Sequence, residues 1–376
     1  MKYLALITVL FLSIGLHAMG DSLESVFFET SASHHAMGRE GSGVADVWNS
    51  DPLMCFNNPA LAAYQPGFSY SVIKYDIPKL LLPLGIEVAS TYDAAAAVIG
   101  YKGMALILPA PAQNGEWGNY YDEGNEGVYD SHGYIIGTLH KFDAYRNYGL
   151  AINPLETYRA YKASYSPLLN HFDLAVGLSY IDIDSYTDFY LETGARAETG
   201  IYNMGLAAKA RHTFIEYVNA EASFGLSRLN MGYKKVKYYP NQEEADPITK
   251  YMNTGFGLHL SLSSELIRIP VVSDFLKNDN LVSVKYLNGH LDFLDDDEID
   301  ASGIEFGLMD TIFLRQGSSD GNFSSSGDTS GWGLNLNIMD YASLRYNSAS
   351  VFWDGPGDLD SYDLGINIDF MKMMGM

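Results

Sequence analysis

From residue 302 to 370, apolar residues alternate with small or polar ones, segment after segment. Ile304, Phe306 and Leu308 are interleaved with Gly303, Glu305 and Gly307. Trp332, Leu334, Leu336 and Ile338 alternate with Gly331, Gly333, Asn335 and Asn337. Tyr362, Leu364, Ile366, Ile368 and Phe370 alternate with Asp363, Gly365, Asn367 and Asp369. A strand turns successive side chains to opposite faces, so each segment has one oily face and one small or polar face. In a soluble sandwich the oily face is the core. In a membrane barrel it meets lipid, and the other face lines the lumen.

The same pattern starts at Phe68, Tyr70 and Val72. It continues through a tight pair over 94–108 that turns near Tyr101-Lys102-Gly103, then strands near 133–142, 147–153, 160–165 and 172–182. Further strands fall at 204–214 and 217–229, around Phe256–Leu262 and around Val282–Tyr286. Many approach the 9–11 residues that a tilted strand needs to cross a bilayer. Loops are expected at 109–130, 233–250, 295–300 and 317–328. The pattern supports 13 to 15 strands, and even numbers are the rule in bacterial barrels. The expected fold is therefore all-β: a 14-stranded antiparallel transmembrane β-barrel over 65–376.

Two N-terminal segments break the pattern. Residues 1–20 carry Lys2, an apolar run over 3–16 and then the small residues of His17-Ala18-Met19-Gly20. That order predicts a cleavable signal peptide, too short to be a spanning helix. Residues 21–64 do not alternate; they hold His34-His35 and end on Asn57-Asn58-Pro59-Ala60, a turn followed by a helix start. Because Leu53, Met54, Phe56, Leu61 and Tyr64 would otherwise be exposed, this stretch reads as a hatch folded inside the barrel.

Composition narrows the function. The chain has 46 acidic against 23 basic residues, a net charge of −23. Phosphate contacts need clustered Lys and Arg, so nucleic acid is excluded as a partner. One cysteine in an exported chain, Cys55, leaves no internal disulfide, and it reads as a small buried hydrophobe. There is no Gly-x-Ser-x-Gly, phosphate loop or cysteine cluster, and the nine histidines are scattered, so neither catalysis nor a cofactor is expected. The acidic run 295–300 lacks EF-hand spacing and reads as a solvated loop. Glu305, Lys285, Glu221 and Lys209 fall on lumen faces, where opposed charges would pair or stay hydrated. Arg315 reads as a strand-end residue reaching the interface. Leu80, Leu81, Leu82 and Leu84, between Pro78 and Val88, form an apolar stretch suited to lining a pocket.

Asn58-Pro59-Ala60 in a Gly-rich N-terminal segment resembles the hatch motif of the FadL superfamily. The ordered set Gly303-Ile304-Glu305-Phe306, Phe313-Leu314-Arg315-Gln316-Gly317, Gly331-Trp332-Gly333-Leu334 and Leu344-Arg345-Tyr346 looks like the C-terminal hairpins of its PorV/PorQ branch. The resemblance implies a 14-stranded barrel in the outer membrane with an N-terminal hatch and outer-membrane lipid around it. FadL-like relatives admit hydrophobic small molecules through a kinked strand and a lateral wall opening. PorV/PorQ-like relatives instead hold a secreted cargo protein in type IX secretion. The expected function is a passive, hatch-gated conduit for hydrophobic small molecules. The alternative is a barrel that docks exported proteins on long loops such as 109–130 and 234–250.

Overall fold

The computed structural model describes residues 31–375 except 39–41, 77–79, 82–86, 89–90, 113–118, 130–134, 162–169, 190–191, 216, 233–234, 237–245, 248–249, 264–279, 294–296, 322–326, 340 and 352–358. One antiparallel sheet closes on itself. β1 (Gly67–Asp76) lies between β15 (Leu359–Ile368) and β2 (Thr91–Tyr101). β3 (Met104–Pro109) and β4 (Asn119–Tyr129) share the next position, each pairing with β2 on one side and β5 (Ile135–Ile152) on the other. The ring continues through β6 (Phe172–Phe189), β7 (Glu192–Ile215), β8 (Val218–Met231), β9 (Tyr251–Ser263) and β10 (Asn280–Phe293). It returns through β11 (Asp297–Leu308), β12 (Ile312–Gly321), β13 (Gly327–Met339) and β14 (Ala342–Val351) to β15. With β3 and β4 sharing one place, the closed antiparallel barrel has fourteen positions.

The oily faces look outward. Leu178 is 55% exposed and Leu150 62%, and Ile304, Phe306, Leu308, Trp332, Leu336, Ile338 and Leu364 are exposed as well, whereas Gly177, Ser179, Gly303 and Glu305 are buried. Leaving a large apolar side chain in water forfeits about 1.5–3 kcal/mol. A belt of this kind is stable in acyl chains and not in water.

The alternation then reverses toward one end. On β6, Leu174, Val176, Leu178 and Tyr180 face out; beyond them Asp182 and Asp184 face out while Ile181 and Ile183 are buried inside. On β10, Leu291 and Phe293 are inward, with His290 and Asp292 outward. The reversal marks where strands leave the bilayer. The Tyr180 and Tyr202 rings sit at that level, 5.2 Å apart, as an interfacial aromatic pair. At the opposite end lie tight turns: Lys102 (φ 51°) with Gly103 (φ 77°), and Met309 (φ 55°) with Asp310 (φ 45°). These left-handed backbones suit the twist of two-residue and three-residue hairpins.

Several local expectations are corrected. Of the strand expected at 160–165, Ala160 and Tyr161 are helical instead, and the rest lies outside the described residues. The rim helix Pro154–Tyr161 starts after Asn153, whose Oδ1 accepts from the Glu156 N–H, and Pro154 takes the first helical place. The strands expected at 133–142 and 147–153 are one strand, β5. Half of the loop expected at 109–130 is strand β4. Asp297 to Asp300 begin β11 rather than lying in an acidic loop, and Asp300 faces His290 at 2.8 Å. β15 ends at Ile368, because the Asp369 carboxylate accepts from the Met371 and Lys372 N–H groups and starts the helical turn Phe370–Met373.

Candidate functional site

Residues 31–65 fold as short turns that touch the inner face of the ring on nearly every side. Pro59–Tyr64 meets β5, β6 and β7; Ser42–Ala45 meets β8, β9 and β10. The helical turn Ala32–His35 meets β13, β14 and β15, and Pro52–Phe56 meets β1 and β2. One segment can do this only inside the lumen. Glycines on the wall make the approach possible: a Cβ on Gly205 would collide with Asn58 Oδ1 and Pro59, and one on Gly177 with the Pro59 and Ala60 backbone. Asn58 holds the turn. Its Oδ1 accepts from the Ala60 N–H (3.1 Å), and its Nδ2 donates to Val44 O (2.8 Å) and Leu206 O (3.1 Å). Pro59 and Ala60 are buried against the wall.

Cys55 is buried beside this turn, and burial, with the charge of Asp51, pushes its thiol far above its usual range. The thiolate is the nucleophile, so Cys55 in the folded protein should resist maleimide at pH 8. Replacing Asn58 with Ala removes three buried hydrogen bonds, a loss of about 2–3 kcal/mol, and should raise the labelling rate about tenfold or more. An unchanged rate, read by mass spectrometry, would show that Asn58 does not hold the segment.

A buried polar chain ties the segment to the opposite wall. Lys285 Nζ on β10 lies 2.8 Å from Asp46 Oδ2, which His34 Nε2 approaches at 2.9 Å. Lys285 also reaches Glu305 on β11 at 3.2 Å, and Arg315 Nε on β12 donates to Glu305 Oε2 at 2.6 Å. Arg315 Nη1 donates to Asn347 Oδ1 (2.8 Å), and Asn347 Nδ2 to Asp363 Oδ1 (2.8 Å). Asp363 Oδ2 accepts from the Ala32 N–H at 3.0 Å, so the chain begins and ends on the lumen segment. Arg345 adds a link, with Nη2 3.0 Å from Asp51 Oδ1. Arg315 therefore corrects its sequence reading: it is 8% exposed and faces inward. His34 and His35 point to different partners, Asp46 and Ser361. Glu221 accepts from Trp48 Nε1, and the Lys209 ammonium lies 5.6 Å from the centre of the Tyr64 ring.

Burial alone would raise the Asp46 carboxyl, but the Lys285 charge and the His34 hydrogen bond outweigh it and hold the group well below the usual range. A carboxyl depressed by folding adds stability above its unfolded value, near 4, and loses it as pH falls toward the folded one. Replacement of Asp46 by Asn should therefore lower the urea midpoint most at pH 7 and by a smaller, still clear amount at pH 3. Equal losses at both pH values would refute that account.

The wall is broken at its third position. A continuous ladder stepping down from Ala96↔Pro109 would set Asp93 opposite Ala112; Tyr120 stands there, eight residues later. From Gly149↔Ile107 it would set Tyr145 opposite Pro111; Asn119 stands there, again eight later. Among the described residues, Ala94 and Ala95 of β2 and 146–148 of β5 thus have no partner in these two ladders on this side. Three residues by two strand spacings make a gap in the ladder of about 10 by 10 Å before side chains, and Ala94, Ala95 and Asn147 at its edges are buried. Beside it, Ala110 and Ala112 pack on Ala95 and Ala97 on the outside, and Tyr70 donates to Pro111 O at 2.8 Å. Inside, Leu53, Phe56, Ala94, Ala96, Tyr145 and Ile181 form an apolar cluster. It continues to Tyr75, Ile183, Ile201, Val351 and Leu359, so the lumen beyond the bilayer is apolar, not small and polar as the alternation predicts. Asn147, inward on β5 at the break, is buried with neither amide atom hydrogen-bonded among the described residues.

Of the pocket-lining leucines, Leu80 and Leu81 pair with Val88 and Glu87 as a two-residue ladder, while Leu82 and Leu84 lie outside the described residues. So do residues 1–20, Asp295 and Asp296, and, of the expected loops, 113–118 and 237–245. Asn147 and the break were missed by sequence reasoning, although Pro109 and Pro111, which cannot donate to a ladder, mark the place.

No protein-family model matches the sequence, and no curated protein matches it. Solved structures of similar chain path include a Pseudomonas aeruginosa FadL homologue, at 11% identity, TM-score 0.41, covering 91% of this chain and 98% of that one. The Ralstonia pickettii toluene transporter TbuX matches at 9% identity, TM-score 0.43, covering 90% and 97%. The Pseudomonas putida toluene transporter TodX matches at 8% identity, TM-score 0.41, covering 89% and 96%.

Proposed function

We propose that the protein is an exported outer-membrane conduit for small hydrophobic molecules, which enter the apolar end of the lumen and leave sideways into the bilayer. The break between β2 and β5 carries the reading. It is an interruption in an otherwise closed wall at the level of Tyr180, where the strands leave the bilayer, and non-ladder backbone is tolerated there where it is shielded or lines a cavity. The apolar cluster leading to it suits a ligand with little need of hydration. Asn147 supplies one donor and acceptor at the threshold, able to orient a ligand's polar group. Asn58-Pro59-Ala60 holds the lumen segment against β6 and β7, beside the break, and that segment serves as the gate.

The test is uptake by cells or proteoliposomes of a radiolabelled panel of alkanes, alkylbenzenes and long-chain fatty acids. The protein should accelerate accumulation of at least one class over a barrel-free control and leave sucrose unaffected. No acceleration of any class overturns the reading.

A further inference from the structure

Immediately below the break, toward the tight turns, the outer face of the wall is concave. A groove of about 740 Å³ lies among Ile99, Leu106, Leu150, Ile152, Leu178 and Met204. Its size is within the range of small-ligand pockets, about 300–1,000 Å³, and its lining is almost wholly apolar. The groove ends at Tyr101, where the chain turns through Lys102. The Lys102 ammonium sits 5.1 Å from the centre of the Tyr101 ring and 5.0 Å from that of Tyr161 at the end of the rim helix. Thr157 Oγ1 donates to Lys102 O at 2.9 Å, which docks the helix on the turn. Lys102 has no carboxylate partner among the described residues, although the chain carries a net charge of −23. The acidic residue of the helix, Glu156, has Arg159, Lys209 and Arg211 as attracting cations and Asp173 as a repelling neighbour.

We infer that this groove is a binding site for one anionic phospholipid, its acyl chain along Leu106, Leu150 and Leu178 and its phosphate on Lys102. The charge is what selects the occupant. Two tyrosine rings hold a cation at the depth of the headgroups, where aromatic side chains and lysines favour the interface. Any acyl chain fits the apolar part, whereas a net-anionic headgroup gains more from an ammonium with no carboxylate beside it than a zwitterionic one, whose own cation opposes Lys102. The site lies outside the wall, so it stands whether or not molecules pass through the break.

Native mass spectrometry of the full chain in detergent, titrated with phosphatidylglycerol or phosphatidylcholine of identical chains, tests this. A single basic residue near the headgroups is worth about fivefold in affinity. The wild type should retain one phosphatidylglycerol about fivefold better than phosphatidylcholine. Lys102→Gln should abolish the difference, and Leu150→Trp, which fills the groove, should weaken both lipids. Heat-modified gel mobility verifies that each variant is folded. No headgroup preference in the wild type, or the same preference in Lys102→Gln, overturns the inference.

Discussion

Removing residues 111–118 should abolish uptake of hydrophobic molecules while leaving a folded barrel. Both neighbours of the third position register the same excess of eight residues. After the deletion, Ala110 and Asn119 would stand opposite Ala95 and Ala94, and Ala110 opposite Arg146. The ladder would run through, adding hydrogen bonds worth about 1 kcal/mol each. Stability should hold or rise as the gap closes. Uptake should fall to the barrel-free level, at least tenfold, with unchanged heat-modified mobility on gels. If the shortened protein transports as well as the parent, molecules do not use the break.

Replacing Glu305 with Ala should be the most destabilising single change in the lumen. It strips a carboxylate from two buried cations, Lys285 at 3.2 Å and Arg315 at 2.6 Å. Breaking a buried pair from one side costs about 3–5 kcal/mol; here Arg315 is left buried with Asn347 but without that carboxylate, and Lys285 keeps Asp46. The urea midpoint should fall accordingly, and Cys55 should become accessible as the lumen segment loosens. The double variant with Arg315→Met removes one orphaned charge and should recover part of the loss, giving a coupling well above 0.5 kcal/mol. Simple additivity would mean the two side chains do not act on each other.

The deletion and the Glu305 variant probe features of different legibility. Alternation such as Ile304-Glu305-Phe306 is read directly from the chain, because period two has only two solutions and lipid picks one. The glycines of the inner face were legible as small residues, but their purpose was not. Gly205 has to be small because Asn58 lies against it, and those residues meet only when the ring has closed around the N-terminal segment. The pairing of Asp46 with Lys285 spans 239 positions of sequence, and nothing local announces it. The helix at Pro154–Tyr161 was legible from Asn153 and Pro154 and was misread, since the alternation of Ala160 to Tyr165 competes with that cap.

By itself, then, the chain determined its faces: which side chains seek acyl chains, how many strands that implies, and that residues 21–64 carry apolar side chains in need of cover. Those are properties of near neighbours along the sequence. The tertiary structure alone decided that the third position is filled by two short strands with a break between them, that the lumen becomes apolar beyond the bilayer, and that its charges link into one chain. Each of these depends on register between strands distant in sequence, and register is set only when the ring closes and every strand has two partners to satisfy.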